Sequence, residues 1–247
     1  MLETKDLTIR FGGHVAVDRV SCSFQPGQLT AIVGPNGAGK TTYFNLISGQ
    51  LPATSGEVWL DGENLSRLSA PLRTRKGLGR AFQLTQLFPH LTVLENVRLA
   101  VQAREQLGLR LWSVWRSHQA VIDEAMALLE RVRLQVRAQE AAASLPHGDQ
   151  RKLEVAVLMA LKPKVYLFDE PTAGMSVDEV PVVLDLIREL KREGSSTLLL
   201  VEHKMDVVRE LADRIVVLHQ GALVADGMPE EVMASSVVQQ AYLGVAA

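Results

Sequence analysis

The sequence predicts an α/β fold: a mixed, mostly parallel sheet, preceded by an antiparallel β subdomain and interrupted by an inserted α-helical lobe. Three observations carry this. Apolar runs at Leu29–Val33, Val165–Phe168, Thr197–Val201 and Ile215–Leu218 read as buried strands, and helical patterns follow the first three. The first 24 residues instead break into short alternating segments separated by glycine turns. From Gly108 to Arg137 the apolar residues, among them Leu111, Val114, Trp115, Val121, Ala125, Leu128 and Val132, fall at helical spacing. No internal repeat or low-complexity linker separates these parts. One domain spanning 1–247 is therefore expected, with its core in 1–83 and 161–247 and the helical lobe in 84–160.

Composition narrows the function before any motif is considered. With 247 residues, 47% hydrophobic and 22% charged, the chain can bury a substantial core. A net charge of −2 argues against a general polyanion binder, so nucleic acid is not an expected partner. The single cysteine, Cys22, excludes an internal disulfide and reads as a small core residue. The N-terminal segment shows no basic-then-apolar export pattern, and no run approaches the length that crosses a bilayer. Charge is unevenly placed, however. Residues 64–118 hold nine Lys/Arg against Glu95 and Glu105, which is either a solvated basic face or a surface for an acidic partner, phosphate or anionic lipid.

In order along the chain, Leu7–Phe11, Val15–Val17 and Val20–Phe24 read as antiparallel strands, with turns at Gly12-Gly13 and Pro26-Gly27. Phe11 closes the first of these, where an aromatic ring is either a core residue or a stacking platform for a nucleobase. The run Leu29–Val33 then opens directly onto Gly34-Pro35-Asn36-Gly37-Ala38-Gly39-Lys40-Thr41-Thr42, which fits G-x-x-x-x-G-K-[ST] between a strand and a helix. Its glycines let successive backbone N–H groups converge, and the following helix N-terminus adds roughly half a positive charge where phosphates would lie. Lys40 would neutralise β/γ-phosphate charge and the Thr41 hydroxyl would face Mg²⁺.

Glu57–Gly62 reads as an alternating strand with a tight end, Arg67–Gly79 as a basic irregular stretch, and Leu94–Arg104 as a helix. Gln83 stands near a strand end and by itself reads as a solvated glutamine. Trp112 and Trp115 read as packing within the helical lobe, with an interfacial anchor or partner contact as the alternative. Leu145–Arg151 reads as a loop leading into the helix Leu153–Leu161. The strand Val165–Phe168 ends in Asp169-Glu170, at the carboxyl edge where open α/β sheets bind ligands. Asp169 is suited to the Mg²⁺ shell, and Glu170, one residue further, to polarising a water as general base. A second buried strand, Thr197–Val201, ends in Glu202-His203, from which an imidazole can reach a γ-phosphate or orient that water. Helices at 180–191, 205–211 and about 230–233, and a hairpin turn at Gln220-Gly221, complete the pattern.

Taken in this order, the motifs resemble the P-loop NTPase core of ATP-binding cassette (ABC) ATPases along the whole chain. Arg80-Ala81-Phe82-Gln83, Leu87–Val97 and Asp169–Met175 are similar to the ATPase subunits of branched-chain (hydrophobic) amino-acid uptake systems. The resemblance implies that Phe11 stacks on adenine, that residues 34–42 hold the triphosphate of ATP, and that Gln83 senses both Mg²⁺ and a membrane partner. It further implies that Asp169 supports Mg²⁺, that Glu170 is the base and that His203 contacts the γ-phosphate. Thr172–Asp178 would touch a second ABC ATPase subunit, expected to be a different chain. Two transmembrane permease subunits would dock the lobe, and a periplasmic solute-binding protein would act indirectly. The implied location is peripheral, on the cytoplasmic face of the inner membrane.

One departure stands out. Family members usually carry Leu-Ser-Gly-Gly-Gln where this chain has Leu145-Pro146-His147-Gly148-Asp149. Pro146 has neither hydroxyl nor N–H, leaving Gly148 and the helix start to face phosphate, so the composite site built with this loop is expected to be the weaker of two. A soluble cassette ATPase acting on ribosomes or DNA is the alternative from another class, and a binding-only subunit is a third.

Overall fold

A computed structural model describes residues 1–81, 87–106 and 119–243 of the chain, the last three by backbone alone. The described residues form two compact units, Met1–Arg80 with Lys164–Glu170 and Leu190–Ala247, and Ala81–Pro163 with Pro171–Glu189. The segment Pro171–Glu189 therefore groups with the helical residues, whereas the sequence expectation placed it in the core.

In the first unit, β1 (Leu2–Phe11) and β2 (His14–Phe24) form an antiparallel hairpin, and β4 (Ser55–Leu60) and β5 (Glu63–Asn64) extend it into a sheet of order β2-β1-β4-β5. The two short strands expected at 15–17 and 20–24 are one strand. An irregularity at Arg19, with φ +48°, bends it without ending it, and the Arg19 N–H is satisfied by Thr8 Oγ1 at 2.9 Å.

The second sheet has the order β10-β9-β3-β8-β7-β6, with β3 (Leu29–Val33), β6 (Leu78–Ala81), β7 (Val165–Asp169), β8 (Thr197–Val201), β9 (Arg214–His219) and β10 (Ala222–Gly227). Strands β9, β3, β8 and β7 run parallel, and β10 returns antiparallel beside β9. Every residue of β3, β7 and β8 is buried, which is why these strands read as continuous apolar runs.

Helix α1 (Lys40–Ser48) follows β3 and is enclosed by apolar side chains from both sheets, with Tyr43, Phe44, Leu46 and Ile47 essentially inaccessible. The Tyr43 hydroxyl shares a 2.7 Å hydrogen bond with Thr4 Oγ1, fixing the helix against the hairpin. Cys22 lies in the same core, where burial pushes its thiol up to about 11, as befits an inert packing residue.

The stretch 67–79, expected to be irregular, contains α2 (Ala70–Arg75). Its buried side chain is Arg73, so no apolar periodicity marks the helix. Arg73 donates from Nη1 to the carbonyls of Leu46 and Ile47 at 2.7 Å each, and from Nε and Nη2 to those of Leu68 and Ser66 at 3.0 Å. It thereby satisfies carbonyls at the C-terminal end of α1, where a cation is also favoured by the helix dipole. Arg73→Met is expected to lower unfolding free energy by about 3 kcal/mol, because these buried carbonyls lose a charged donor. Urea denaturation measures it, and a loss below ~1 kcal/mol would show that water replaces the guanidinium without penalty.

Among the described residues the basic stretch divides between internal and surface side chains. Arg73, Arg80 and Arg98 are buried side chains, Lys76 pairs with Glu63 and Arg104 with Glu124, while Arg67 and Arg75 are exposed.

In the second unit α3 (Val93–Arg104), α4 (Gln119–Arg131) and α5 (His147–Ala160) pack on one another. A capping box opens α3: Thr92 Oγ1 accepts from the Glu95 N–H, and Glu95 returns a bond to the Thr92 N–H. Arg104 joins the three helices through Glu124 at 2.7 Å and the Ala160 carbonyl at 2.8 Å. Gln83, Trp112 and Trp115 lie outside the described residues. The remaining helices are α6 (Val180–Glu193), α7 (Met205–Leu211), α8 (Pro229–Ala234) and α9 (Ser236–Leu243).

Candidate functional site

Three parallel strands end level with one another. Ile32 of β3 and Asp169 of β7 both register with Val201 of β8, so Gly34, Glu170 and His203 emerge together at the carboxyl edge of the sheet. The segment after β3 turns sharply into α1, and two of its glycines, Gly34 and Gly39, are required by the surroundings. A Cβ on Gly34 would lie 2.1 Å from the Leu218 carbonyl oxygen, and one on Gly39 would lie 2.3 Å from that of Ala16. Gly39, at φ +96°, is also the N-cap of α1, so a left-handed residue sets the direction of the helix. Lys40 folds back to donate to the carbonyls of Gly34 at 2.7 Å and Pro35 at 3.0 Å. Burial pushes its ammonium pKa down, while the nearby Glu170 and Asp169 act in the opposite direction. Asn36 and Gly37 are exposed at the rim, Ala38 is buried, and Thr41 and Thr42 are partly buried in the first turn of α1.

The hairpin reaches this cradle through Ala16, whose carbonyl is the atom that closes on Gly39. Phe11 stands at the hairpin end opposite His14 and is 50% exposed. That exposure removes the core alternative left open by the sequence and leaves a ring face available to stack.

Asp169 is buried at the end of β7. Its Oδ2 accepts from Arg80 Nη2 at 2.6 Å, and its Oδ1 has no hydrogen-bond partner among the described residues. Burial raises its pKa, and the Arg80 guanidinium opposes that rise. Glu170 follows in the left-handed region at φ +51°, a conformation that costs a non-glycine residue about 1–3 kcal/mol. Its N–H is anchored to the Val201 carbonyl at 2.9 Å, and its Oε1 lies 2.7 Å from His203 Nε2. With Glu170 ionised, that nitrogen carries the proton and donates, which sets the imidazole tautomer. The His203 N–H in turn donates to Glu202 Oε2 at 2.9 Å, holding the turn after β8.

Gly148 belongs to the other unit. The stretch expected as a loop from Leu145 to Arg151 is helical from His147 onward, with Pro146 as the N-cap of α5 and no side-chain cap bond. Proline's fixed φ suits a helix start, and the polar residues His147–Lys152 conceal the first turns from an apolar-periodicity reading. A Cβ on Gly148 would lie 2.1 Å from Glu179 Oε2, and that carboxylate also accepts from the Ser176 N–H and hydroxyl. The loop and the segment after Glu170 are therefore packed together within this unit.

Arg80 is a site residue to which the sequence assigns no role, although it stands among the basic side chains and in the motif Arg80-Ala81-Phe82-Gln83. A signal for such a role is an arginine inside the otherwise apolar strand Leu78–Ala81, three residues before Gln83.

A glycine cradle with no room for a Cβ at Gly34 or Gly39, backed by a helix N-terminus and an inward lysine, fits a chain of phosphates, so ATP suits the residues present. Asp169 Oδ1, buried and lacking a partner, fits a site that also takes a hydrated cation such as Mg²⁺. Fold and site together define the P-loop nucleotide-binding class. Within it the assignment is specific: residues 17–173 match the ABC transporter family, and the chain belongs to that family. It is 38% identical, over 100% of its own length and 98% of the relative's, to the high-affinity branched-chain amino acid transport ATP-binding protein LivG of Escherichia coli K12. A nucleotide-free ATP-binding cassette from an ABC transporter superposes with a TM-score of 0.83 at 27% identity, covering 99% of both chains. A dimeric cassette in a post-hydrolysis state bound to ADP and Pi gives 0.80 at 26%, covering 92% of this chain and 98% of that one.

Proposed function

We propose that the chain is the ATP-hydrolysing subunit of an ABC importer for branched-chain or related amino acids. The observation that carries this is the preformed Glu170–His203 pair beside the phosphate cradle, in a chain similar throughout to a transport ATP-binding protein. Residues 34–42 would hold the triphosphate, Phe11 would stack on the adenine, and Gln83, Thr41 and Asp169 would hold Mg²⁺. Bound there, the cation supplies charge neutralisation of the β- and γ-phosphates. Glu170 takes a proton from the attacking water, and His203 orients Glu170 and contacts the γ-phosphate.

The partners are a second ABC ATPase, which the solved dimeric relative supports in kind, and two permease subunits, with a solute-binding protein supplying the amino acid from outside. A different chain is the favoured second ATPase. No helix among the described residues is long and apolar enough to cross a membrane, in keeping with peripheral attachment to the cytoplasmic face of the inner membrane through the permease. The relatives above are transport proteins, which leaves the ribosome- or nucleic-acid-directed alternative without support. Co-expression with permease subunits tests this reading: the chain should purify with membranes and release ADP faster once solute-loaded binding protein is added. Association with ribosomes or DNA instead would contradict it.

Pro146 gives a graded prediction. In the dimer that the resemblance implies, the start of α5 would face the ATP held by the partner, and Pro146 offers it no side-chain donor. Pro146→Ser should tighten ATP-dependent association of the two ATPases about tenfold, the equivalent of one charge-assisted hydrogen bond of roughly 1.5 kcal/mol. Analytical ultracentrifugation with and without ATP reads this, and an unchanged dimer affinity would mean that the loop binds phosphate through its backbone alone.

A further inference from the structure

Arg80 joins two parts of the nucleotide site, helix α1 and the end of β7. Its side chain is 5% exposed and that of Asp169 is 0% exposed, and the pair sits at 2.6 Å. From Nη2 it donates to Asp169 Oδ2, while Nη1 donates to Asn45 Oδ1 at 2.6 Å, Ser48 Oγ at 3.0 Å and Gln50 Oε1 at 3.3 Å. Asn45 and Ser48 lie on α1, the helix whose first turn carries Lys40 and Thr41. The guanidinium also lies over the Phe44 ring, 5.7 Å from its centroid. One terminal nitrogen thus faces the phosphate helix and the other the strand-end carboxylate, a division that a lysine ammonium cannot reproduce from a single point.

The two carboxylate oxygens of Asp169 are treated differently. Oδ2 is held by Arg80, whereas Oδ1 is buried and has no hydrogen-bond partner among the described residues. A buried carboxylate oxygen without a partner is costly, and a site that retains one is explained by a water or ion that it serves.

We propose that Arg80 is a positioning residue for Mg²⁺: by clamping Oδ2 of Asp169 to α1 it fixes the carboxylate so that Oδ1 is presented to the hydrated cation. The inference rests on the reading of Asp169 as the Mg²⁺-facing carboxylate. Arg80 itself touches neither phosphate nor ion. It fixes the distance between the helix that holds the phosphates and the strand that serves the cation.

The test is the Mg²⁺ dependence of nucleotide binding, with AMP-PNP as a ligand that is not hydrolysed. Calorimetric affinities are measured in EDTA and across a Mg²⁺ series for wild type, R80Q, R80K, N45A and D169N. R80Q should bind AMP-PNP in EDTA as wild type does, and should need about tenfold more Mg²⁺ for half-maximal tightening, the range seen when an outer-shell partner of a metal ligand is lost. R80K, retaining charge without the fork, should fall between the two, and N45A should shift in the same direction by less. If D169N abolishes the Mg²⁺ effect while a folded R80Q keeps the wild-type dependence, Arg80 is only a structural cation and the proposal is overturned. If D169N itself keeps that dependence, the reading of Asp169 fails and the proposal with it. Should R80Q not fold, R80K and N45A decide by the same readout.

Discussion

Replacing Glu170 with glutamine is expected to slow ATP hydrolysis by ~10²–10⁴-fold, the contribution of a positioned general base, while ATP binding is retained. The substitution preserves shape and removes only the capacity to take a proton. Glutamine can still accept from His203 Nε2 through its amide oxygen, so the 2.7 Å contact and the left-handed turn after β7 have no reason to be lost. The cradle, Lys40 and Asp169 are untouched. Turnover and affinity should therefore separate cleanly: kcat collapses and ATP then accumulates on the protein. Rapid-quench measurement of a single turnover, alongside equilibrium ATP binding, distinguishes this from a folding defect. Normal steady-state hydrolysis by Glu170→Gln would remove the base from the mechanism.

Gly39→Ala is expected to be nearly as severe by a different route. A Cβ there would sit 2.3 Å from the Ala16 carbonyl oxygen, a backbone atom of β2 that cannot swing aside, and φ is +96°. Conformational strain and displacement of the hairpin together should cost on the order of 3 kcal/mol in stability. Because Gly39 also caps α1, relief of the clash rotates the N–H groups that face the phosphates. ATP affinity should fall about a hundredfold, the equivalent of roughly 3 kcal/mol. Gly37→Ala is the control: its φ of +79° also favours glycine, but a Cβ there meets nothing within 4 Å. It should lose only about 1 kcal/mol and keep most of its affinity. Equal losses at the two positions would mean that backbone freedom, not the close approach of Ala16, makes the cradle.

How far the sequence could be read depended on what each element buries. The strands β3, β7 and β8 were legible because both of their faces are covered, leaving uninterrupted apolar runs. The phosphate cradle was legible because its glycines answer to local backbone needs. Helix α2 was not legible, since its buried residue is an arginine whose partners are carbonyls in α1 and in the stretch preceding α2, and no periodicity announces that. The first turns of α5 were hidden for a related reason: the run His147–Lys152 is polar, and Arg151 within it is buried through an ion pair with Glu154 at 2.9 Å. The bend at Arg19 looks like a strand break in the sequence, because a single left-handed residue satisfied by Thr8 leaves no compositional trace.

At the site, Asp169 and Glu170 could be located but not differentiated by pattern alone. The structure differentiates them. One is clamped inside the sheet by Arg80, and the other is turned out of the strand by a left-handed residue and held by a histidine 33 residues away. Pairings across such separations depend on strand register, which periodicity does not encode.

In the proposed function, hydrolysis at this site drives solute across a membrane. The most direct measurement is uptake of radiolabelled leucine into proteoliposomes containing this chain, its permease subunits and second ATPase, with ATP presented on the side of the ATPases and binding protein on the other. Uptake should require ATP, rise with solute-loaded binding protein and fall to background when Glu170→Gln replaces the wild-type chain. ATP hydrolysis that is indifferent to permease and binding protein, or uptake that survives Glu170→Gln, would contradict it.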